Sequence, residues 1–411
     1  MKKSITIIGI NFYPEDTAIG LYTSQLAQFL YSNDFDVTVI TGFPYYPSWK
    51  IDENYRNKKR FIQEDYKGIK VIRYRQYVPR KPTFFKRILH LLDFSFGTFI
   101  NIFKIKNTDA VLCIVPFIGS VFLGKILAKF KKAKLWVHIQ DFEFDVASDS
   151  NLVENNRDKG LFFKLLFRVE RKILKSTDFL STISSAMMIR LNSKIHPQKI
   201  NTKLLPNWVD INFIKPQNFE QHKYLSSKKF KILYSGNIGE KQDWDFFIEF
   251  TKSLVSYKDI EIIIVGNGSK KVWLEEKMLD LDNIYFYSPV EYSELSNLMC
   301  SADLHILFQK NEVIDTVMPS KILAMMSSQK PSIITGNLKS EVATIMHKSN
   351  AGKYFETNNL KGVINCVNEI KSNKKLQEIY GNNARQFVSE NFSKEKILNE
   401  FKQTLNNLLV K

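Results

Sequence analysis

The chain has 411 residues, 44% apolar and 25% charged, with no low-complexity stretch, internal repeat or long glycine–serine linker. Such a composition suits a globular protein with two domains of about 200 residues, each able to bury a full core. The 59 Lys and Arg against 42 Asp and Glu leave a formal charge of +17, which points to an anionic ligand or surface. Cys113, Cys300 and Cys366 lie too far apart for a Cys-based metal site or disulfide framework, and suit a reducing cytoplasm.

Met1-Lys2-Lys3-Ser4 followed by an apolar run has the order of a signal peptide. The run stops at Asn11 and no small-residue cleavage site follows, so it reads as a first strand. Strands are predicted at 5–10, 37–41, 69–75, 110–115, 135–139 and 179–183, with helices at 20–31, 84–103, 117–130, 161–175 and 185–194. Several strands are apolar throughout, the mark of parallel sheets buried on both faces. Between Lys50 and Arg87 cations far outnumber Asp52, Glu53, Glu64 and Asp65, giving a local basic patch. Along 84–103, Phe85, Leu89, Leu92, Phe96, Phe99 and Phe103 recur at helical spacing, with Lys86, Arg87, Lys104 and Lys106 as flanks. Asp93 and His90 interrupt the run, so it does not span a bilayer. The stripe either packs on its own sheet or presses, beside the basic patch, onto an anionic membrane.

Leu205-Pro206-Asn207-Trp208-Val209-Asp210 and the polar stretch 216–227 mark a boundary near residue 210. The alternation then restarts, with strands at 232–235, 261–265, 284–287, 304–308 and 332–335 and helices near 243–256, 270–281, 292–300 and 321–328. Ligands of doubly wound sheets bind at the carboxyl ends of the strands.

Three of those ends carry chemistry in the second half. Ser235-Gly236-Asn237-Ile238-Gly239-Glu240-Lys241 runs from a strand through two glycines, which admit a ligand close to the backbone, to a lysine suited to a phosphate. Val265-Gly266-Asn267-Gly268 repeats the turn after the next strand. Pro319 and Ser320 suit a helix start, yet Lys321 puts a cation in the first turn, where the macrodipole favours anions. A bound phosphate would supply the missing charge. In the first half, the loop Asn11 to Gly20 has one glycine and is no dinucleotide fingerprint. His138-Ile139-Gln140-Asp141-Phe142-Glu143-Phe144-Asp145 closes another strand, where alternation can set His138 and Gln140 on one face. His138 is read either as a buried structural histidine or as part of a cleft, whereas His196, His222, His305 and His347 read as structural or surface residues.

Taken in order, the Gly20 loop, the 205–210 segment ahead of Phe213 and Pro216, the two glycine turns and Met318-Pro319-Ser320-Lys321 resemble the retaining glycosyltransferases of family 4 over essentially the whole chain. Tyr13-Pro14-Glu15 with Gly20 and Tyr22, Pro44-Tyr45-Tyr46-Pro47 and Gln140-Asp141-Phe142-Glu143 are similar to the colanic-acid-type exopolysaccharide fucosyltransferases within it. The resemblance implies an α/β chain of GT-B fold: two facing Rossmann-like doubly wound parallel-sheet domains with a cleft between them. Residues 1–208 would bind the acceptor and 209–392 the nucleotide-sugar, with 393–411 a helix packing back toward the N-terminal domain.

The resemblance also implies roles by position. Gly236, Asn237, Gly239 and Lys241 would lie along the donor diphosphate, with Gly266 in the neighbouring turn. Ser320 and Lys321 would close over it, Val290 would meet the base through its backbone, and Gly20 would face the diphosphate across the cleft. His138 or Asp141 would lie near the transferred sugar, so that His138, Asp141, Lys241 and Lys321 carry the catalytic roles. No metal or cofactor is required, because basic side chains and helix dipoles neutralise the leaving group. Two departures stand out. The Glu-x7-Glu pair of many relatives is here Thr316 and Ala324, with Glu312 or Asp315 as stand-ins for the first, and Asp243 replaces a glycine.

The resemblance implies retaining transfer, and because no carboxylate pair has a claim to the two-carboxylate scheme of glycosidases, front-face substitution is the expected route. The partners implied are a GDP- or UDP-sugar and a lipid-linked saccharide in exopolysaccharide, capsule or O-antigen synthesis. The place implied is cytoplasmic, peripheral at the inner face of the plasma membrane. A GT-B sugar-nucleotide 2-epimerase would instead turn over donor without acceptor. A catalytically silent sugar-nucleotide-binding partner of an assembly complex would bind nucleotide without consuming donor. The basic stretch contains no nucleic-acid-binding module.

Overall fold

The computed structural model describes residues 2–16, 18–116, 118–142, 157–313 and 320–410. The chain forms two compact units, Met1–Pro206 with Leu398–Lys411, and Asn207–Ile397. The first unit contains β1 (Lys3–Ile8), α1 (Ala18–Ser32), β2 (Phe35–Gly42), β3 (Phe61–Tyr66), β4 (Ile69–Tyr74), α2 (Phe84–Ile102), β5 (Ala110–Val115), α3 (Ile118–Lys131), β6 (Lys134–Ile139), α4 (Arg157–Leu174), β7 (Phe179–Thr182), α5 (Ser185–Ile195) and β8 (Asn201–Leu204). Its sheet runs β3-β4-β2-β1-β5-β6-β7-β8.

Every pairing in that sheet is parallel except β3 with β4. The exception is one antiparallel edge strand on an otherwise parallel sheet, and β3 was absent from the predicted strands. Its signal is the two-residue turn Lys67-Gly68, with φ of 52° and 87°. Positive φ at both positions makes the tight hairpin turn that matches strand twist. The alternating Phe61-Ile62-Gln63-Glu64-Asp65-Tyr66 suits an edge strand with one wet face.

The second unit contains β9 (Phe230–Ser235), α6 (Trp244–Ser253), β10 (Ile260–Val265), α7 (Lys271–Lys277), β11 (Ile284–Tyr287), α8 (Leu295–Cys300), β12 (Leu304–Phe308), α9 (Ser320–Ser327), β13 (Ser332–Gly336), α10 (Glu341–Ser349), β14 (Gly352–Glu356), α11 (Leu360–Ser372) and α12 (Lys374–Phe392). Its all-parallel sheet has the order β11-β10-β9-β12-β13-β14. β10, Ile-Glu-Ile-Ile-Ile-Val, is buried at every position, as a central strand covered on both faces must be. The helices between residues 340 and 392 were not among those predicted. Ser340, Asn359 and Asn373 each accept a backbone N–H at a helix start, a capping signal present in the sequence.

The last helix, α13 (Lys394–Val410), belongs to the first unit from Leu398 onward. There Phe401 stacks on Trp136 at 5.4 Å and meets the His138 ring edge-on at 5.0 Å. On α2 the face turned to the sheet carries Leu91, Phe94 and Ile102, with Gly97 so close to Tyr74 that an added Cβ would lie 2.0 Å from its Cγ. The apolar stripe is on the opposite face: Phe85, Leu89, Leu92, Phe96, Phe99 and Phe103 are 45% to 72% exposed. The reading in which the stripe packs on its own sheet is therefore corrected. Among the described residues no helix is long and apolar enough to cross a membrane.

Because Phe401 fills a buried slot against Trp136, Phe401→Ala is expected to destabilise the first unit by about 3–5 kcal/mol, the usual range for emptying such a site. Urea unfolding followed by tryptophan fluorescence measures it; a loss below about 1 kcal/mol would show that the helix contributes little.

Candidate functional site

In the second sheet β10 and β11 lie to one side of β9, and β12, β13 and β14 to the other. The loops after β9 and β12 therefore diverge, leaving a crevice at the point where strand order reverses, the general ligand position of such sheets. The residues singled out from the sequence in this unit come from the carboxyl edges of β11, β10, β9 and β12, which are consecutive neighbours.

The loops after β9 and β10 are laced together. Ile238 N donates to Asn267 O at 2.9 Å, Lys270 N to Ile238 O at 3.0 Å, and Gly236 N to Val265 O at 2.9 Å. A Cβ at Gly266 would fall 2.0 Å from Gly236 O, so the approach is closed to any other residue. Gly236 has φ 138°, a backbone L side chains rarely adopt, and a Cβ there would lie 2.5 Å from Lys321 Cε.

Lys321, in the first turn of α9, reaches back over this loop. Its Nζ donates to Tyr234 OH at 2.8 Å and Asn237 O at 3.2 Å and lies 4.9 Å from the Tyr234 ring centre. Tyr234 OH itself donates to Asn237 O at 2.6 Å. Both partners are neutral, and among the described residues no carboxylate pairs with Lys321. Burial alone pulls its pKa down to about 8. At neutral pH it remains mostly a cation, held at a helix N-terminus whose dipole also favours an anion. This arrangement can hold a phosphate or diphosphate.

Lys241 is exposed at the end of the same loop, and Asn237 Nδ2 is the atom nearest a Cβ placed on Gly239, at 2.7 Å. Gly239 O accepts from Trp244 Nε1 at 2.7 Å, and its N–H donates to Gln242 Oε1 at 3.2 Å. Val290 is half-buried after β11, against the core of the unit. Ser320 begins α9. Asp243 has a local explanation, since its Oδ1 caps α6 by accepting from Phe246 N at 3.1 Å. Ala324 is half-buried and Glu312 exposed; Asp315 and Thr316 lie outside the described residues.

In the first unit the loops after β1 and β2 are joined by two buried charges. Glu15 accepts from Tyr45 N at 2.8 Å, Tyr46 N at 2.9 Å and Asn11 Nδ2 at 2.8 Å, and burial raises its pKa. Arg73 is fully buried and donates to Tyr13 O, to Gly42 O at 3.0 Å and to Glu64 Oε1 at 2.5 Å. One cation of the basic patch is thus internal. Gly20 is required by Glu15, whose Cβ would lie 2.7 Å from an added Cβ. A pocket of about 210 Å³ opens between these loops, lined among others by Asp16, Tyr46, Ser48 and Asp52.

His138 is 1% exposed inside the sheet. Its Nδ1 lies 2.9 Å from Ser181 Oγ, which also accepts from Trp136 Nε1 at 2.8 Å, and its Nε2 lies 3.0 Å from Gln140 Nε2. Both ring nitrogens are occupied, and burial lowers the pKa to about 3, so the ring is neutral. Asp141 follows, half-buried, at the strand's carboxyl end, while Glu143 and Asp145 lie outside the described residues. Sequence reasoning missed Tyr234 and Glu15 as organising residues. Tyr234 looks like one more apolar strand position until Lys321 is folded against it.

A glycine-laced crevice at the switch point of one of two parallel-sheet α/β units defines a class, and the chain belongs to the group 1 glycosyltransferases. The pattern described as Glycosyl transferases group 1 matches residues 216–387. The putative colanic acid biosynthesis glycosyl transferase WcaI of Escherichia coli (strain K12) is 30% identical over 417 residues, covering 97% of this chain and 98% of its own. Two solved structures share the GT-B fold. Sucrose-phosphate synthase from Thermosynechococcus elongatus superposes with a TM-score of 0.72 at 13% identity, covering 100% of both chains. Anabaena Alr3699/HepE in complex with UDP-glucose superposes at 0.66 and 13%, covering 98% of this chain and 99% of its own.

The buried histidines make stability acid-sensitive. His138 and His305 are each lowered to about 3, against an ordinary 6.5. Below pH 6.5 the unfolded chain takes up protons that the folded chain refuses, so stability present above that pH is lost on acidification. Each histidine accounts for about 1.4 kcal/mol per pH unit well below it. In urea titrations at several pH values, His138→Asn is expected to flatten the first unit's acid slope by about that amount; an unchanged slope would contradict the assignment.

Proposed function

We propose that the chain is a retaining hexosyltransferase that moves fucose or a related hexose from a GDP- or UDP-sugar to a lipid-linked oligosaccharide. The product would be a bacterial exopolysaccharide, capsule or O-antigen. The observation that carries the donor half is the Lys321 ammonium, without a carboxylate partner among the described residues, clamped over the Gly236 loop at the switch point. The name of the E. coli relative supports the polysaccharide class, and the UDP-glucose in the Anabaena structure supports a nucleotide-sugar.

In this proposal the donor diphosphate lies along Gly236, Asn237, Gly239 and Gly266, with Lys321, Lys241 and the start of α9 at Ser320 neutralising it. Val290 meets the base through its backbone. The bond from the sugar's anomeric carbon to the phosphate oxygen breaks as the acceptor hydroxyl attacks the same face, and the departing phosphate oxygen takes the hydroxyl proton. Fixed positive groups that face the leaving oxygen stabilise the charge that develops there, and no metal enters the scheme. The first unit would hold the acceptor, with Asp141 as a hydrogen-bond partner. His138, neutral and enclosed, would orient Gln140 and not exchange protons.

Thermal shifts with GDP, UDP, ADP and CDP test the donor half, and stabilisation by one nucleotide is expected. Lys321→Ala should fold normally yet bind that nucleotide about 10- to 100-fold more weakly, the loss of one charge-assisted contact. Equal affinity would remove Lys321 from the site. Because the free lysine titrates at about 8, affinity should also fall as pH rises through that value. The limit is about tenfold per pH unit, and Lys321→Arg should abolish the dependence. Consumption of donor only when acceptor is added would separate transfer from epimerisation or silent binding.

A further inference from the structure

The sheet of the first unit is crossed by connections from β4 to β5, β5 to β6 and β6 to β7, all stepping in one direction along it. Right-handed crossovers then place α2, α3 and α4 side by side on one face, and α2 packs on α3 and α3 on α4. The outer surface of this layer is apolar beyond the α2 stripe. On α3, Phe122 is 53% and Phe130 73% exposed, and on α4 Leu165 and Val169 are also exposed. In the second unit the exposed large apolar residues fall singly on different elements, such as Val272, Leu338 and Ile379. Scattered apolar residues are ordinary on a surface; their concentration on three helices packed side by side is not.

Charge identifies what covers it. The same helices expose Lys86 and Arg87 on α2, Lys125 and Lys129 on α3, and Arg168 and Lys172 on α4. Among the described side chains they expose no carboxylate. Asp93 is engaged by Tyr74 OH at 2.8 Å and Tyr77 N at 2.6 Å, and Glu170 is buried against Lys194 at 2.6 Å. None of the six cations pairs with a carboxylate among the described residues. Around the β3–β4 hairpin, by contrast, Lys58 pairs with Glu64 at 3.4 Å, Arg60 with Asp93 at 3.5 Å and Arg73 with Glu64, and the cations that stay exposed, such as Lys59, Lys67 and Arg75, have no exposed large apolar side chain among residues 58–75 beside them. A protein partner that matched only the apolar field would leave the cations unanswered.

From this we infer that the outer face of α2, α3 and α4 is a membrane-docking surface for an anionic bilayer. Its phenylalanines and leucines enter the acyl boundary, and its lysines and arginines meet the phosphates of the headgroups. The surface, and not the hairpin, carries the attachment. The inference deepens the lipid-linked half of the proposed function but uses none of the nucleotide-binding residues, so either can fail alone.

The test is co-sedimentation of the full chain with vesicles of phosphatidylglycerol and phosphatidylcholine, against phosphatidylcholine alone. The wild-type chain should pellet with the anionic vesicles and be released by salt. The combination Leu89→Gln, Leu92→Gln, Phe122→Gln and Phe130→Gln should reduce partitioning about tenfold or more at the same salt, as should Lys125→Glu with Lys129→Glu and Arg168→Glu. Reversal at Lys58 and Lys59 should change it little. Thermal stabilisation by nucleotide, unchanged in every variant, reports that the fold and the donor site are intact. Wild-type protein left in the supernatant at low salt would overturn the inference. So would glutamine variants that still pellet fully, since adhesion would then be that of any basic protein. A wild-type dimer that the glutamine variants convert to monomer would overturn it too, by assigning the face to a second copy of this chain.

Discussion

A half-buried lysine ammonium hydrogen-bonded to neutral oxygens is the constraint around which the second unit is arranged. Desolvation lowers the Lys321 pKa to about 8. Two features keep the group in place despite that cost: the first turn of α9 aims the side chain, and Tyr234 OH and Asn237 O accept its hydrogen bonds. Position 236 must be glycine because its φ is 138°, and a Cβ there would also crowd the Lys321 side chain. Gly266 follows from the same compression, because the loop after β10 must pass against the Gly236 carbonyl. Three strand ends are thereby brought onto one cation, and an anion is the partner that would relieve both its desolvation and the helix dipole.

The first unit treats buried charge in the opposite way. Glu15 and Arg73 have their hydrogen bonds directed to backbone groups of the loops after β1 and β2 and of the end of β2, to the Asn11 amide, or to Glu64. They act as internal braces. A rigid pair of loops around a small polar pocket is the result, since moving either loop would strand a charge with no water to solvate it. The basic character of residues 50–87 is partly consumed in the same manner, whereas the cations of α2, α3 and α4 stay at the surface.

The two α/β sheets, the glycine turns and the α2 stripe were legible in the sequence because each is a local pattern. A continuous apolar run such as Ile260–Val265 has few alternatives to a central strand, and a 3.6-residue repeat of phenylalanine and leucine marks a helix wherever it packs. The β3 edge strand was harder to see, because its polar alternation is weaker than the turn that makes it. The helices between residues 340 and 392 were less legible, because a serine or asparagine that caps a helix serves equally well in a turn. His138 shows the limit of residue type: histidine at a strand end is compatible with a cleft or a core, and the serine at 181 that decides it is 43 residues away.

What the amino-acid order determined by itself was therefore periodic and short-range: which segments are strands or helices, where glycine frees the backbone, and where a cation stands at a helix start. Folding alone decided which face of α2 meets the sheet, because that depends on the fit of Gly97 against Tyr74. It likewise decided that Tyr234 receives Lys321, a contact between residues 87 apart. Side-chain direction and desolvation arise from neighbours that are remote in the chain, and no local pattern encodes them.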